Sequence, residues 1–242
     1  MTQKSSLKRN SFRCALKRSI PILIGYFPVG FAYGILMQQA GYSFLWSGLI
    51  SATVYTGALQ MLMISFLSSG VPLLTAALTA VLLNSRHIFY GLTFLEKFRS
   101  YGGWKYLLIY GMSDESYSLL CSYTPQEGAD EKWVHIYSTV LIWLYWLIFS
   151  MLGGLIGQLI PFDLTGIDFA LTALFIVTFL DNLRASPSVL PGAAAIASSL
   201  IWIAVVGADR FLLPSLLTTS ALLVLFRARI DAPASGKGVG DR

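Results

Sequence analysis

Charge is what this sequence has least of. Only 12% of its 242 residues are Asp, Glu, Lys or Arg, against about 25% in an ordinary soluble domain. A soluble domain of this length needs a charged surface even over a good core, and a stretch such as 45–67 offers none. That excludes a water-exposed globule and turns the surface toward lipid. Cysteine is scarce as well: Cys14 and Cys121 lie far apart without CxxC spacing, which removes a disulfide framework and a metal knuckle. The only histidines are His87 and His135, too few beside the acids for a di-metal centre, so neither metal nor cofactor is expected. No G-x-x-x-x-G-K-[ST] occurs, nor H-E-x-x-H, nor G-x-S-x-G. A nucleotide motor and the simplest membrane-protease and hydrolase chemistries are thereby excluded.

What is present is apolar residues, 55% of the chain, in long runs. A membrane span needs about 20 such residues, and eight stretches qualify: 19–39, 45–68, 71–94, 104–123, 134–160, 167–183, 188–206 and 211–226. The fold class expected is all-α, a polytopic transmembrane helical bundle of about seven to eight spans. Only 96–103 and 124–132 are clearly hydrophilic internal links, so no soluble domain is inserted. Residues 1–18 read as a basic cytoplasmic leader, 19–226 as a single transmembrane domain, and 227–242 as a disordered cytoplasmic tail.

The leader carries Lys4, Lys8, Arg9, Arg13, Lys17 and Arg18 with no acid among them. Beside an apolar run this is a cytoplasmic anchor at the inner membrane, not a nucleic-acid site. The apolar stretch that follows is too long for a signal-peptide core and lacks an A-x-A site, so it reads as a retained first span. Basic residues at both ends ask for an even number of crossings. Simple alternation of eight then places the basic link with Lys97, Arg99 and Lys105 outside and the acidic link 127–132 inside. That conflict points to a re-entrant or broken segment.

The first span holds Pro28 with Gly25, Gly30 and Gly34. Proline removes a backbone bond and clashes with the preceding turn, so a break here, in a position to line a pathway, is one expectation. A structural kink with close glycine packing is the plainer alternative. The pairs Gly30/Gly34 and Gly153/Gly157 read as close helix packing. No convincing internal sequence repeat is visible.

Two polar clusters interrupt the apolar runs. Asn84, Ser85, Arg86 and His87 with Tyr90 and Gly91 lie in the third stretch; Gly111, Ser113, Asp114, Glu115, Ser116 and Tyr117 lie in the fourth. Ionisable groups inside spans cost about 2.5 to 3.5 kcal/mol each on insertion scales, so they need partners or a task. On a helix Arg86 and Tyr90 share a face at i+4. Asp114 and Glu115 point about 100° apart and take different partners; Asp114 shares a stripe with Tyr110, Tyr117 and Ser118. An ion pair of Arg86 with Asp114 or Glu115 that only docks two helices is one reading, a place for both clusters at the water interface is a second, and a substrate site is the third. Gln60, mid-way in the second stretch beside Tyr55, reads equally as an interhelical bond or a substrate contact. His87 is the proton-coupling candidate, whereas His135 beside Trp133 reads as interfacial.

Ser19, Ile20, Pro21, then Gly25, Tyr26, Pro28, Ala32 and Gly34, then Tyr55, Gly57, Ala58 and Gln60, then Arg86, His87, Tyr90 and Gly91, and finally Gly111, Asp114 and Glu115 resemble, in order and spacing, the AzlC family of branched-chain amino acid permeases. Ser113 stands where that family usually has Thr. The resemblance implies an exporter of branched-chain amino acids or their toxic analogues, not an enzyme, working with a small multi-span partner of the AzlD type. Arg86, Asp114, Glu115, Tyr26, Tyr55, Gln60 and Tyr90 then become the expected substrate contacts. Other classes predict different behaviour: a passive channel, an intramembrane enzyme using Asp114 with Glu115 as an acid–base pair, or a non-transporting scaffold subunit.

Overall fold

The computed structural model describes residues 2–125, 128–159, 188–208 and 210–225, with residues 176, 179, 180, 183 and 184 between them. Every regular element among these residues is helical, as the apolar runs require. They are α1 (Thr2–Gln39), α2 (Phe44–Thr53), α3 (Gly57–Ser69), α4 (Leu73–Asn84), α5 (Arg86–Arg99), α6 (Trp104–Tyr110), α7 (Asp114–Cys121), α8 (Glu131–Leu159), α9 (Leu190–Val206) and α10 (Leu212–Leu225). The chain forms two compact units, one carrying α1–α3 and α5–α8, the other α4, α9 and α10. The candidate span 167–183 and the tail 227–242 fall outside the described residues, apart from positions 176, 179, 180 and 183.

Among the described residues two helices, over Ser6–Gln39 and Glu131–Leu159, are long and apolar enough to cross a bilayer. They form the axis of the first unit and run parallel. Asn10 donates to the Gly128 carbonyl (3.2 Å), Ser11 accepts from the Asp130 N–H (2.9 Å), Ser19 and Tyr145 share a hydroxyl contact (3.0 Å), and Gly34 lies against Ser150, Gly153 and Gly154. The last contact is backbone on backbone: a Cβ at Gly34 would collide with the Ser150 carbonyl and the Gly154 N–H, and one at Gly153 with the Phe31 carbonyl. The paired small residues thus bring two helices closer than any side chain permits.

The other apolar stretches differ from unbroken spans. Residues 45–68 hold two helices, because the backbone leaves the helix after Thr53 and Tyr55 takes φ +42°, a left-handed conformation unusual for a tyrosine. Gln60 donates to Ser51 (2.9 Å) across this bend. Each lies about one turn from it, so a direct bond requires a sharp turn between α2 and α3. Residues 104–123 fold back on themselves. Trp104, opening α6, packs on Trp133 with ring centroids 5.7 Å apart, and Tyr123, just past α7, packs on His135 at 5.4 Å. Both ends of that hairpin stand beside the first turn of α8, while Gly111 at its tip abuts Thr139.

The two hairpins enter from opposite ends of α8. Phe44 at the base of α2 touches Gly154, Gly48 faces Met151, and Gly57 at the tip faces Trp146. The tips meet: the Tyr110 hydroxyl donates to the Ala52 carbonyl, and the Tyr55 and Tyr110 rings stack at 6.3 Å.

Of the two readings for the first span, the continuous helix is present: α1 passes through Pro21 and Pro28 without interruption, and no half-helix begins at Pro28. The breaks lie at Val54–Thr56 and Gly111–Ser113, with the single residue Ser85 between α4 and α5. The topology conflict has a structural answer too. Lys97 pairs with Glu131 at 2.5 Å, and Lys8 lies 4.0 Å over the Trp133 ring. The leader, the basic link and the acidic link therefore share one end of the unit.

In the second unit, α9 and α10 are joined by small hydroxyls: Ser199 to Ser215 (2.9 Å), Ser198 to the Ser215 carbonyl (3.2 Å) and Trp202 to Thr218 (2.9 Å). These are the interhelical polar bonds of a helix pair with an apolar exterior.

Candidate functional site

Gly111 and Ser113 end one helix and start another, and that is why two carboxylates stand together in an apolar environment. Ser113 is the N-cap of α7: its backbone is extended (φ −109°, ψ 175°) and its hydroxyl accepts from the Ser116 N–H at 3.2 Å. Asp114 and Glu115 then fall in the first turn, where the helix dipole favours negative charge.

The two acids diverge. Asp114 Oδ2 lies 2.9 Å from Arg86 Nη1, and its Oδ1 accepts from the Tyr90 hydroxyl at 2.7 Å. One face of α5 thus supplies both partners, as the i+4 spacing of Arg86 and Tyr90 requires. Glu115 instead accepts from the Tyr26 hydroxyl at 2.7 Å, on α1. Tyr26 packs edge-on against Trp146 with centroids 5.1 Å apart. Trp146 stands next to the midpoint of the 29-residue α8, so Glu115 lies level with the middle of α8.

Charge and exposure distinguish the two partners. The Arg86 and Asp114 side chains are 35% and 40% exposed, a pair with an open flank. Tyr26 is buried. The Arg86 Nε is buried and has no hydrogen-bond partner among the described residues.

Gln60 is fully buried. It donates to Ser51 and its carbonyl accepts from Trp146 Nε1 at 2.8 Å. It therefore ties α2, α3 and α8 together at the first tip. Tyr55 is buried between the tips, against Tyr26 and Tyr110. Tyr90 stacks on Tyr117 at 4.4 Å. His87 sits on the turn, with Nδ1 3.1 Å from the Asn84 carbonyl and its ring edge-on to Tyr90 at 5.5 Å. Arg86, Tyr90, Asp114, Glu115 and Tyr26 are thus joined by direct bonds; Tyr55 and Gln60 stand at the neighbouring tip, and His87 reaches the group through Tyr90. Pro28, Gly30 and Gly34 are in the α1 packing face rather than at a break.

Two placements differ from the sequence reading. Tyr110 belongs to α6 and not to the Asp114 stripe, because the chain reverses between them. His135 is fully buried rather than interfacial, enclosed by Tyr101 (3.2 Å to its hydroxyl), Phe94 and Tyr123. Trp146, Ser51 and Tyr33 were missed because single apolar or small residues inside an apolar run give no local signal. Tyr33 is fully buried and stacks on Trp146 at 6.1 Å. Among the described residues no group of three His, Cys, Asp or Glu side chains is placed to hold a metal.

An all-helical unit with two crossing helices and two opposed half-length hairpins, bearing acids and a guanidinium where the helices are interrupted, is a polytopic membrane bundle. Residues 21–160 match the family model described as AzlC protein, and the chain belongs to that family. It is similar to the branched-chain amino acid transport protein AzlC of Bacillus subtilis, 32% identical over 91% of this chain and 87% of the relative. An uncharacterized membrane protein of Helicobacter pylori (strain 26695) is 31% identical over 91% and 97%, and the inner membrane protein YgaZ of Escherichia coli is 28% identical over 77% and 79%. No solved structure matches.

Proposed function

We propose that this chain is a secondary transporter that exports branched-chain amino acids or their toxic analogues across the inner membrane, together with a small multi-span partner of the AzlD type. The observation that carries this reading is the arrangement of Arg86, Asp114 and Glu115 at the tip of the α6–α7 hairpin, level with the middle of α8. A zwitterionic solute needs one cationic and one anionic partner, and few groups at that depth repay their desolvation without such a task. The relative from Bacillus subtilis, a transport protein for branched-chain amino acids by name, supports the substrate class.

In this mechanism the ammonium group meets Asp114 or Glu115, and the carboxylate meets the exposed part of Arg86. Substrate thereby inserts into an existing ion pair and replaces each partner's charge, so neither is left bare. Tyr90 and Tyr26 hold the two carboxylates apart. The tyrosines and Trp146 around the tips supply an apolar wall for a branched side chain. His87 is positioned to exchange a proton with water while touching Tyr90, which suits coupling to a proton gradient. The end that carries the leader and Lys97, Arg99 and Lys105 is cytoplasmic by its positive charge. The α6–α7 hairpin then enters from the cytoplasm.

The test is leucine and valine flux into liposomes holding the purified chain, alone and with its small partner, with and without an imposed proton gradient. Saturable flux that responds to the gradient supports a secondary transporter. Flux that is unsaturable and indifferent to every gradient favours a channel, and turnover of a substrate in detergent favours an enzyme.

A further inference from the structure

In the first unit a helix followed by two short helices occurs twice, as α1 with α2–α3 and as α5 with α6–α7. Helix α1 runs parallel to α8, and α5 runs against it, since Phe94 meets His135 and Lys97 meets Glu131 further along the chain. Each is followed by a hairpin of two short helices, and the hairpins enter from opposite ends. The correspondence extends to single residues at a constant offset of 57 positions: Tyr33 and Gly34 with Tyr90 and Gly91, and the N-caps Thr56 and Ser113 opening α3 and α7 at Gly57 and Asp114. The same offset pairs Gln60 with Tyr117. Tyr33 and Gln60 hold one group between them, the Trp146 indole, by stacking and by a hydrogen bond. Their counterparts Tyr90 and Tyr117 stack directly. Identity across the offset is confined to a few positions, which is why the repeat escapes a reading of the sequence.

We infer that α1–α3 and α5–α7 are inverted copies of one unit and that the two hairpins are opposing gates, closed on each other at the tips and opening to opposite faces in turn. This deepens the transport reading and rests on it. Physical reasons support hairpins as the moving parts. Each consists of helices far shorter than the about 20 residues that span hydrocarbon, so each reaches only the midplane. The tip contacts are few and polar or aromatic: Tyr110 to the Ala52 carbonyl, Tyr55 on Tyr110, and Tyr26 to Glu115. The α1–α8 axis, by contrast, is locked backbone to backbone at Gly34 and Gly153. Two related halves with inverted topology have equivalent inward- and outward-open forms, because exchanging the conformations of the halves exchanges the faces. The copies differ where chemistry is needed: the second carries Asp114 and Glu115 where the first has Gly57 and Ala58.

The test uses the full chain with Cys14 and Cys121 replaced by serine and Thr56→Cys as a probe at the shared tip. Its hydroxyl caps no N–H of α3 and donates only to the Val54 carbonyl inside the bend (3.2 Å), so the substitution removes no contact between elements. An impermeant maleimide is applied to right-side-out and inside-out vesicles. Labelling from both faces is expected, with leucine shifting the ratio; labelling from one face only, or from neither, overturns the gates. In a second variant, Ala52→Cys with Tyr110→Cys joined by a short cleavable cross-linker, labelling of a third cysteine at 56 is expected to be lost from at least one face and leucine exchange to stop until the link is cut. Unchanged exchange across an intact link overturns the proposal. If the uncross-linked protein exchanges no leucine while position 56 still labels from both faces, the substrate assignment fails and the gates stand.

Discussion

Asp114 and Glu115 are neighbours in sequence and face different helices: Asp114 is held by Arg86 and Tyr90 of α5, Glu115 by Tyr26 of α1. One hairpin tip is thereby tethered to two elements that run in opposite directions. Any motion of the tip must exchange one tether for another, and a zwitterion that supplies both charges is suited to effect the exchange.

The two tethers differ in what their loss does. Tyr26→Phe removes a buried donor to Glu115 and leaves the ring contact with Trp146 in place. The expected cost in stability is about 1 kcal/mol, the scale of interhelical polar bonds in membranes. Thermal unfolding in detergent measures it. A fall no larger than this, with leucine transport at least halved, is the expected combination; unchanged transport argues that the Tyr26–Glu115 bond is only structural.

Gly34→Ala forces a methyl group into the Ser150 carbonyl and the Gly154 N–H, neither of which moves without shifting α8. Overpacking of this kind costs about 1 to 3 kcal/mol. Gly25→Ala in the same helix meets nothing within 4 Å and serves as the control. Yield of monodisperse protein and its unfolding temperature should drop for the first variant and hold for the second; equal behaviour contradicts the close crossing of α1 and α8.

Gln60→Leu strands both Ser51 and the Trp146 indole N–H in a buried setting. Leaving a buried donor or acceptor unsatisfied costs about 1 to 3 kcal/mol, and Gln60→Glu, which keeps an acceptor for Trp146, should cost less if the carboxyl stays protonated. The order of unfolding temperatures, native above Glu above Leu, checks the assignment of Gln60 to the hairpin closure.

The folded-back hairpins make a topological prediction. Ser100→Cys and Thr124→Cys flank the α6–α7 hairpin and should react with an impermeant maleimide from the same face, the cytoplasmic one, whereas Ser43→Cys at the base of α2 reacts from the other. Labelling of Ser100→Cys and Thr124→Cys from opposite faces means that α6 and α7 cross the bilayer and do not fold back.

The helical membrane class and the two long helices were legible because a long apolar run has few other ways to satisfy its backbone. The hairpins were not. Hydropathy reports depth and not direction, so two half-helices interrupted at Val54–Thr56 read the same as one span of the same length. Pro28 was the loudest local signal of a break, yet α1 passes through it. The actual breaks fall at Val-Tyr-Thr and Gly-Met-Ser, residues common enough in membrane helices to give no warning. The polar clusters were legible because charge in an apolar stretch is conspicuous; that Asp114 and Glu115 take different partners followed from helical geometry alone. Trp146, at the junction of both tips, was hidden among the aromatic residues of α8.

The central claim is that Arg86 and Asp114 together bind the substrate, and the direct measurement is leucine flux by Arg86→Ala, Asp114→Asn and the double variant in liposomes, with unfolding temperatures measured alongside. The account predicts flux at the level of empty liposomes in all three, with unfolding costs of about 1 kcal/mol, the scale of interhelical polar bonds in membranes. Native flux in either single variant would contradict it and leave the pair as a dock between α5 and α7.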